Sequence, residues 1–350
     1  MKKTLCLVLS FILIAASLLS LASCGTDENT VKKKTLSYTY FHTVSSIFVY
    51  STVDDETFNS YAEEAQSLLE FYHKRFDIYF DYSGINNLRT INQNAGKQAV
   101  EVDDETIKFL EFCKELFTLT NGKTNVMMGS VLKIWHNHRE DAEFDPTTAT
   151  APTEAELSEA MTHTSIDLLE IDKEAGTVYI SDSEASLDVG AIGKGYATEM
   201  VCTRLKEMGA DSVALNIGGN IRTIGLKPDG SLWETGITNP DKSSSDFATK
   251  IALGETSCVT SGDYERYFYA DGVKYHHIID PATSFPAAYF SSVTILTENS
   301  ALADALSTAL FCVDHAEGLE ILQNFDENID VIWIGTDGTI QTTDGVQIID

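Results

Sequence analysis

The sequence predicts an α+β fold of mixed, largely antiparallel sheets flanked by helices. Three observations carry this. Alternating polar and apolar segments are joined by short turns of hairpin chemistry, as at Asp271-Gly272 and Asp337-Gly338. Amphipathic helical stretches gather early in the chain and again around residues 299–323. Between them runs a strand, helix, strand unit with no regular βαβ winding.

Taken in order, Lys2 and Lys3 precede an apolar run from Leu5 to Leu21, the pattern of an export signal. The run closes on Leu21-Ala22-Ser23-Cys24, which resembles a bacterial lipobox with Cys24 as the lipidated residue; an uncleaved anchor helix is the alternative. Residues 1–23 are therefore read as a lipoprotein signal, 24–35 as a polar tether and 36–350 as one domain. The protein is expected outside the cytoplasm, lipid-anchored to the cell membrane.

Residues 36–50 alternate as a strand, and Phe58, Tyr61, Leu68, Leu69, Tyr72 and Phe76 line one face of a following helix. A second helix covers Asp104 to Leu119, and the capping box Thr153/Glu156 starts a third. Then come a strand from Thr177 to Val189, a helix from Gly195 to Met208 and a strand from Ser212 to Ile217. Further strands are expected at Leu232–Ile237, at Tyr267–Tyr269 paired with Val273–Ile279, and at Val331–Ile334.

A formal charge of -29 argues against nucleic acid as a partner, so an anionic substrate would need a local cationic site. Apart from Cys6 and Cys24, the cysteines Cys113, Cys202, Cys258 and Cys312 are widely spaced in apolar surroundings. With no CxxC or zinc spacing they read as buried thiols, and a disulfide stays open in an oxidising compartment.

The run from Ala301 to Phe311 sets Asp304, Ser307 and Thr308 into an apolar helix. At 100° per residue Leu302, Leu306, Ala309 and Leu310 share one face, while Asp304 and Thr308 form a ridge opposite. An ionised Asp there needs a cation or dense hydrogen bonding, and carboxylate plus hydroxyl oxygens suit a hard ion such as Mg2+. The alternative is a polar stripe in which Thr308 bonds back one turn and Asp304 meets a buried Arg.

Ser186 to Ala197 joins a strand to a helix through Gly190, Gly193 and Gly195 with Lys194 among them. That is either a phosphate-type turn at a helix start or a plain glycine-rich turn. Tyr275-His276-His277-Ile278-Ile279-Asp280-Pro281 ends a strand in two His of opposite facing. One of them can serve as a general base, or sit exposed while Asp280 caps the turn.

In this order the segments resemble the ApbE family of extracytoplasmic flavin transferases, which move FMN from FAD onto a Thr of another protein. The matching features are Phe41-His42-Thr43, Tyr79 before Ser83, Gly129 to Trp135, Asp188 to Ala197, Asn216 to Asn220, Thr260 to Tyr267, His277 to Pro281 and Asp304 to Thr308. The resemblance implies an ApbE-like single domain and places Mg2+ at the Asp304 carboxylate, the Thr308 hydroxyl and the Ala191 carbonyl, with Ser307 adjacent. It implies a flavin-nucleotide site from Phe41, Tyr79, Val126, Met127, Met128, Asp188, Lys194 and Ile278. It makes His277 the base on the Thr hydroxyl, with Asp280 orienting it or sharing the task. The partners implied are FAD and an acceptor protein bearing the Thr, with AMP released. FAD hydrolysis to FMN and AMP, and non-catalytic binding of a flavin or another solute, are the competing functions. The chain departs from the family at Asn125-Val126-Met127-Met128-Gly129, commonly Asp-Pro-Thr-Val-Gly, at Thr283-Ser284-Phe285-Pro286, commonly Thr-Gly-Tyr-Pro, and at Phe41, more often Met.

Overall fold

The computed structural model describes residues 32–349 except 42, 52, 242 and 245. The expected leader, Cys24 and His42 lie outside the described residues.

The alternating stretch 36–50 is two strands rather than one. Strand β1 (Lys32–Tyr40) begins inside the stretch read as tether and pairs antiparallel with β2 (Thr43–Ser51). The turn between them holds Phe41 at φ 53, its ring edge-on to His73 at 5.5 Å. No Gly, Asn or Pro marks this turn, so periodicity alone runs straight through it. Helix α1 (Asp55–Phe76) is capped by Asp54 and buries Phe58, Tyr61, Leu69, Tyr72 and Phe76, the expected face.

Next come α2 (Leu88–Gln93), β3 (Val100–Glu101) and α3 (Asp104–Leu119), the last capped by Asp103 with the expected bounds. Helix α4 (Gly129–Phe144) has no counterpart in the sequence reading, because its N-cap, Met128, supplies no capping side chain. Helix α5 (Glu154–Met161) starts at the Thr153/Glu156 capping box. Strand β4 (Leu169–Asp172) pairs with β5 (Thr177–Ile180), which stops nine residues short of the expected end at Val189; the chain then runs to α6 (Gly193–Glu207).

The remaining elements are β6 (Val213–Ile217), β7 (Asn220–Ile224), β8 (Trp233–Thr238), β9 (Phe247–Leu253), β10 (Ser257–Gly262), β11 (Tyr267–Ala270) and β12 (Val273–His276). They are followed by β13 (Phe290–Thr297), α7 (Ser300–Phe311), α8 (His315–Leu322), β14 (Asp330–Gly335), β15 (Ile340–Thr342) and β16 (Ile348–Ile349). The turns at Asp271-Gly272 and Asp337-Gly338 form as expected, with positive φ at Asp271, Gly272 and Gly338.

Eight strands build the main sheet in the order β1-β2-β6-β7-β10-β13-β14-β15, every ladder antiparallel. Alternate residues of β10, β13 and β14 serve two cores. Val259, Ile295, Val331 and Trp333 enter the larger core, into which α1, α6 and α7 also pack. Cys258, Leu296, Ile332 and Ile334 face Trp233, Ile237, Ile251 and Leu253 of the smaller β16-β9-β8 sheet. Burial on both faces explains why β14 reads as the unbroken apolar run Val331–Ile334. Each fully buried large side chain, such as Phe311, contributes about 1.5–3 kcal/mol.

A third cluster joins α4, α5 and the β11–β12 hairpin through Trp135, Leu157, Phe268 and Met128. It stands over the α6–α7 junction and leaves a cavity between. The four cysteines expected as buried thiols are free and buried. Among the described residues no helix is long and apolar enough to cross a membrane.

Candidate active site

The cavity measures about 650 Å³, within the range of small-molecule sites. Its floor is the junction of α6 and α7. Helix α6 opens without a side-chain cap, because its N-cap is Ile192, so the N–H groups of its first turn need an acceptor from elsewhere. Asp304 of α7 supplies it: Gly195 N–H donates to Asp304 Oδ2 at 2.8 Å, and Lys194 Nζ lies 3.6 Å from Oδ1. A buried carboxylate is thus met by a helix N-terminus and an ammonium. The cation beside Asp304 is Lys194, and no Arg takes that place among the described residues. Gly195 is required by the approach, since a Cβ there would fall 2.3 Å from the Ser300 carbonyl and 2.4 Å from Asp304 Cβ. The junction is tied further by Glu199 Oε2, which accepts from Ser300 N–H at 2.8 Å and pairs with Arg222 Nε at 3.3 Å.

Asp304 and Thr308, the ridge of α7, line the cavity together with Ala191. Ser307 does not. Its hydroxyl lies against Ser261 Oγ at 2.8 Å and bonds back to the Asp304 carbonyl at 2.9 Å, the back-bond expected of Thr308. Thr308 Oγ1 sits 3.4 Å from Ser261 Oγ and keeps contact with the cavity. One carboxylate, one hydroxyl and one main-chain carbonyl form a donor set that fits a small hard cation, whose other positions go to water and substrate oxygens. No trio of His, Cys, Asp or Glu side chains that could hold a metal occurs among the described residues.

On the opposite wall the two His behave as alternation predicts. His276 is buried edge-on to Phe311, its Nε2 bonded to the Ala287 carbonyl at 2.8 Å and its Nδ1 accepting from Ile278 N–H. His277 lines the cavity; its main-chain N–H donates to the Arg266 carbonyl at 3.0 Å. Its Nδ1 is buried with no hydrogen-bond partner, which leaves Nε2 as the nitrogen offered to a ligand. Burial, then the charges of Arg266, His276 and Arg139, push its pKa down to about 3, so the ring is neutral at pH 7 with one nitrogen lone pair unprotonated.

Asp280 does not reach His277. Its carboxylate pairs with Lys123 Nζ at 3.3 Å and accepts from Ala282 N–H at 2.9 Å, which ties the Pro281 turn to the end of α3. Asp188 and Tyr79 line the cavity. Asp188 Oδ1 accepts from Gly190 N–H at 2.8 Å, and burial raises the carboxyl pKa against that bond and the nearby His136 and Arg266. The Tyr79 ring lies 5.8 Å from that of His136, and its phenol pKa is raised, by burial first and then by Asp188. Ile278 is a buried wall residue.

The Val126-Met127-Met128 run divides. Met128 reaches the cavity, whereas Val126 and Met127 are core residues. The Val126 carbonyl accepts from Asp188 N–H at 2.8 Å, and beyond Met128 the Gly129 N–H donates to the Ser186 carbonyl at 3.1 Å. Phe41 is absent from the cavity wall and packs on His73 instead.

The walls also bring in residues that the sequence reading did not single out: Lys123, His136, Arg139 and Arg266. Lys123, Arg139, Arg266 and Lys194 place four cations around a cavity in a chain of net charge -29, the local site an anionic ligand needs. Arg139 was hidden because α4 carries no start signal. Arg266 was within reach: counting outward from the Asp271-Gly272 turn pairs Tyr267 with His276, and so sets position 266 opposite His277.

Residues 36–333 match the profile of the ApbE family. The FAD:protein FMN transferase of Treponema pallidum is 29% identical over 360 residues, covering 98% of this chain and 96% of that protein. That of Vibrio cholerae is 30% identical over 317 residues, 90% of each. The ApbE protein of Thermotoga maritima superposes with a TM-score of 0.76 at 28% identity, over 89% of this chain and 97% of that one. The flavin transferase ApbE of Vibrio cholerae gives 0.73 at 26% identity, over 91% and 98%. With the match running through the main sheet, the α6–α7 junction and the His277 wall, the chain belongs to the ApbE family.

Proposed function

We propose that the chain is an FAD:protein FMN transferase that moves FMN from FAD to a Thr hydroxyl of an acceptor protein and releases AMP, with Mg2+ as cofactor. The single observation that supports it best is one cavity holding the α6 N-terminus, Asp304 and Lys194 on its floor and the neutral His277 on its wall. The names of the relatives support the same activity.

Asp304, Thr308 and the Ala191 carbonyl would hold Mg2+, which when bound neutralises the diphosphate and polarises the phosphorus under attack. Lys194 and the first turn of α6 bind the diphosphate oxygens and stabilise the departing AMP. His277 Nε2 accepts the proton of the Thr hydroxyl. Tyr79, Met128, Asp188 and Ile278 shape the nucleotide pocket, and Asp280 fixes the turn after His277 through Lys123. The export leader and Cys24 support an extracytoplasmic protein held to the membrane by a lipid.

The test is direct. The full chain is incubated with FAD, Mg2+ and an acceptor domain carrying the target Thr, and covalent flavin fluorescence on the acceptor is followed. Labelling with one AMP per flavin is expected. AMP release with an unlabelled acceptor would make the protein a hydrolase, and intact FAD would make it a binding protein.

A further inference from the structure

The assignments above leave one cavity cation without a task. Tyr267 and His276 are cross-strand partners in the β11–β12 hairpin, and the His277 N–H bonded to the Arg266 carbonyl extends that register by one step. Directly opposed residues of an antiparallel pair project from the same face, with Cβ atoms about 5 Å apart. Arg266 and His277 therefore enter the cavity side by side, and both line it.

The other cations there are engaged: Lys123 by Asp280, Lys194 by Asp304, and Arg139 by His136 at 2.8 Å and Glu143 at 3.5 Å. Among the described residues Arg266 has no ion pair and no side-chain hydrogen bond, and its side chain is exposed. An unpaired guanidinium at the rim of a site for a diphosphate offers a planar fork of donors that matches two phosphoryl oxygens at once.

Resting on the transferase reading, we propose that Arg266 is a catalytic residue that grips the phosphoryl group in transit, the phosphate of the FMN half. The position follows from in-line displacement, in which the entering and leaving oxygens lie at opposite ends and charge gathers on the oxygens between them. His277 must stand at the entering end, beside the Thr hydroxyl, and Lys194 with the α6 N-terminus at the leaving end. Arg266, adjacent to His277, then faces the oxygens of the attacked phosphorus. The Thr oxygen forms the new P–O bond and the bond from that phosphorus to the bridging oxygen breaks. AMP departs with the electron pair, and the Thr proton passes to His277 Nε2. The same charge opposes a proton on His277 while the site is empty, and opposes it less once a phosphate lies between them.

The test compares wild type, Arg266→Met and Arg266→Lys in the full chain, with FAD and the acceptor domain as probes. Arg266→Met is expected to lower kcat about 100- to 1,000-fold. FAD affinity, read by flavin fluorescence, should change by less than about 5-fold, far less than kcat. The acid limb of its kcat/KM profile moves to higher pH, because removing the neighbouring cation raises the pKa of His277. Arg266→Lys restores that limb and only part of kcat, since an ammonium lacks the fork. A Met variant with kcat near that of wild type, or one whose acid limb stays in place, overturns the proposal while leaving the transferase reading intact. A wild type that binds FAD but labels no acceptor overturns both.

Discussion

Gly195→Ala tests whether the α6–α7 junction is as tight as its geometry requires. The added methyl would lie 2.3 Å from the Ser300 carbonyl oxygen and 2.4 Å from Asp304 Cβ, against a comfortable separation of about 3.5 Å. Both neighbours belong to helix α7, which is buried at every position except Thr308, so no flexible side-chain end can turn aside. Helix α7 must withdraw by roughly 1 Å. The overpacking costs about 1–3 kcal/mol. Stretching the Gly195 N–H to Asp304 bond removes about 1.5–3 kcal/mol, and the better helix propensity of Ala returns about 1 kcal/mol. A net loss of about 3 kcal/mol lowers the melting temperature by about 5 °C, taking an unfolding entropy of roughly 2.1 cal/mol/K per residue over the domain. The same displacement moves Asp304 off its mark and should reduce transfer about 100-fold. Calorimetry and the acceptor assay read the two effects. An Ala variant that melts within 1 °C of wild type and keeps half its activity would show that the junction is looser than drawn.

Asp304→Asn keeps a hydrogen-bond acceptor for Gly195 but removes the charge, so the Mg2+ concentration for half-maximal transfer should rise at least about 100-fold, read by metal titration; an unchanged midpoint removes Asp304 from the metal site. Ser284 holds φ 59, a left-handed conformation that costs a residue with a Cβ about 1–2 kcal/mol, and Ser284→Gly should stabilise the protein by about 0.5–1 kcal/mol in urea unfolding after the flexibility of unfolded Gly is discounted. A destabilised Gly variant would mean that the Ser284 hydroxyl, bonded to the Thr283 carbonyl, outweighs the strain. His277 drops from an ordinary 6.5 to about 3 on folding, so between those values the unfolded chain binds the extra proton and stability falls as the pH falls. The slope approaches about 1.4 kcal/mol per pH unit below pH 5.5, which amounts to about 1.6 kcal/mol between pH 6.5 and 5. His277→Gln should remove that share of the acid sensitivity, and denaturant unfolding at the two pH values would expose the error if both proteins lose stability alike.

Features written in short-range terms were readable from the chain. The capping box at Thr153/Glu156, the bounds of α3, the Asp271-Gly272 hairpin and the opposed facing of His276 and His277 each depend on residues within a few positions of one another. So does the ridge of Asp304 and Thr308, because helical period sets which residues share a face. Errors came where local signals were silent. Nothing in Tyr40 to Thr43 announces a turn, so two strands read as one, and Met128 offers no cap, so α4 and its Arg139 went unnoticed.

The sequence by itself determined the fold class, the polar ridge in an apolar helix and the order of motifs that marks the family, because periodicity and turn chemistry are properties of neighbouring residues. Only the tertiary structure decided the partners: Asp304 with Gly195, 109 residues away, Lys123 with Asp280, 157 away, and the retreat of Val126, Met127 and Phe41 from the cavity. Those choices follow from which buried charge must find an opposite charge and which apolar side chain finds the larger core. That competition is settled across the whole molecule, and short-range spacing does not encode its outcome.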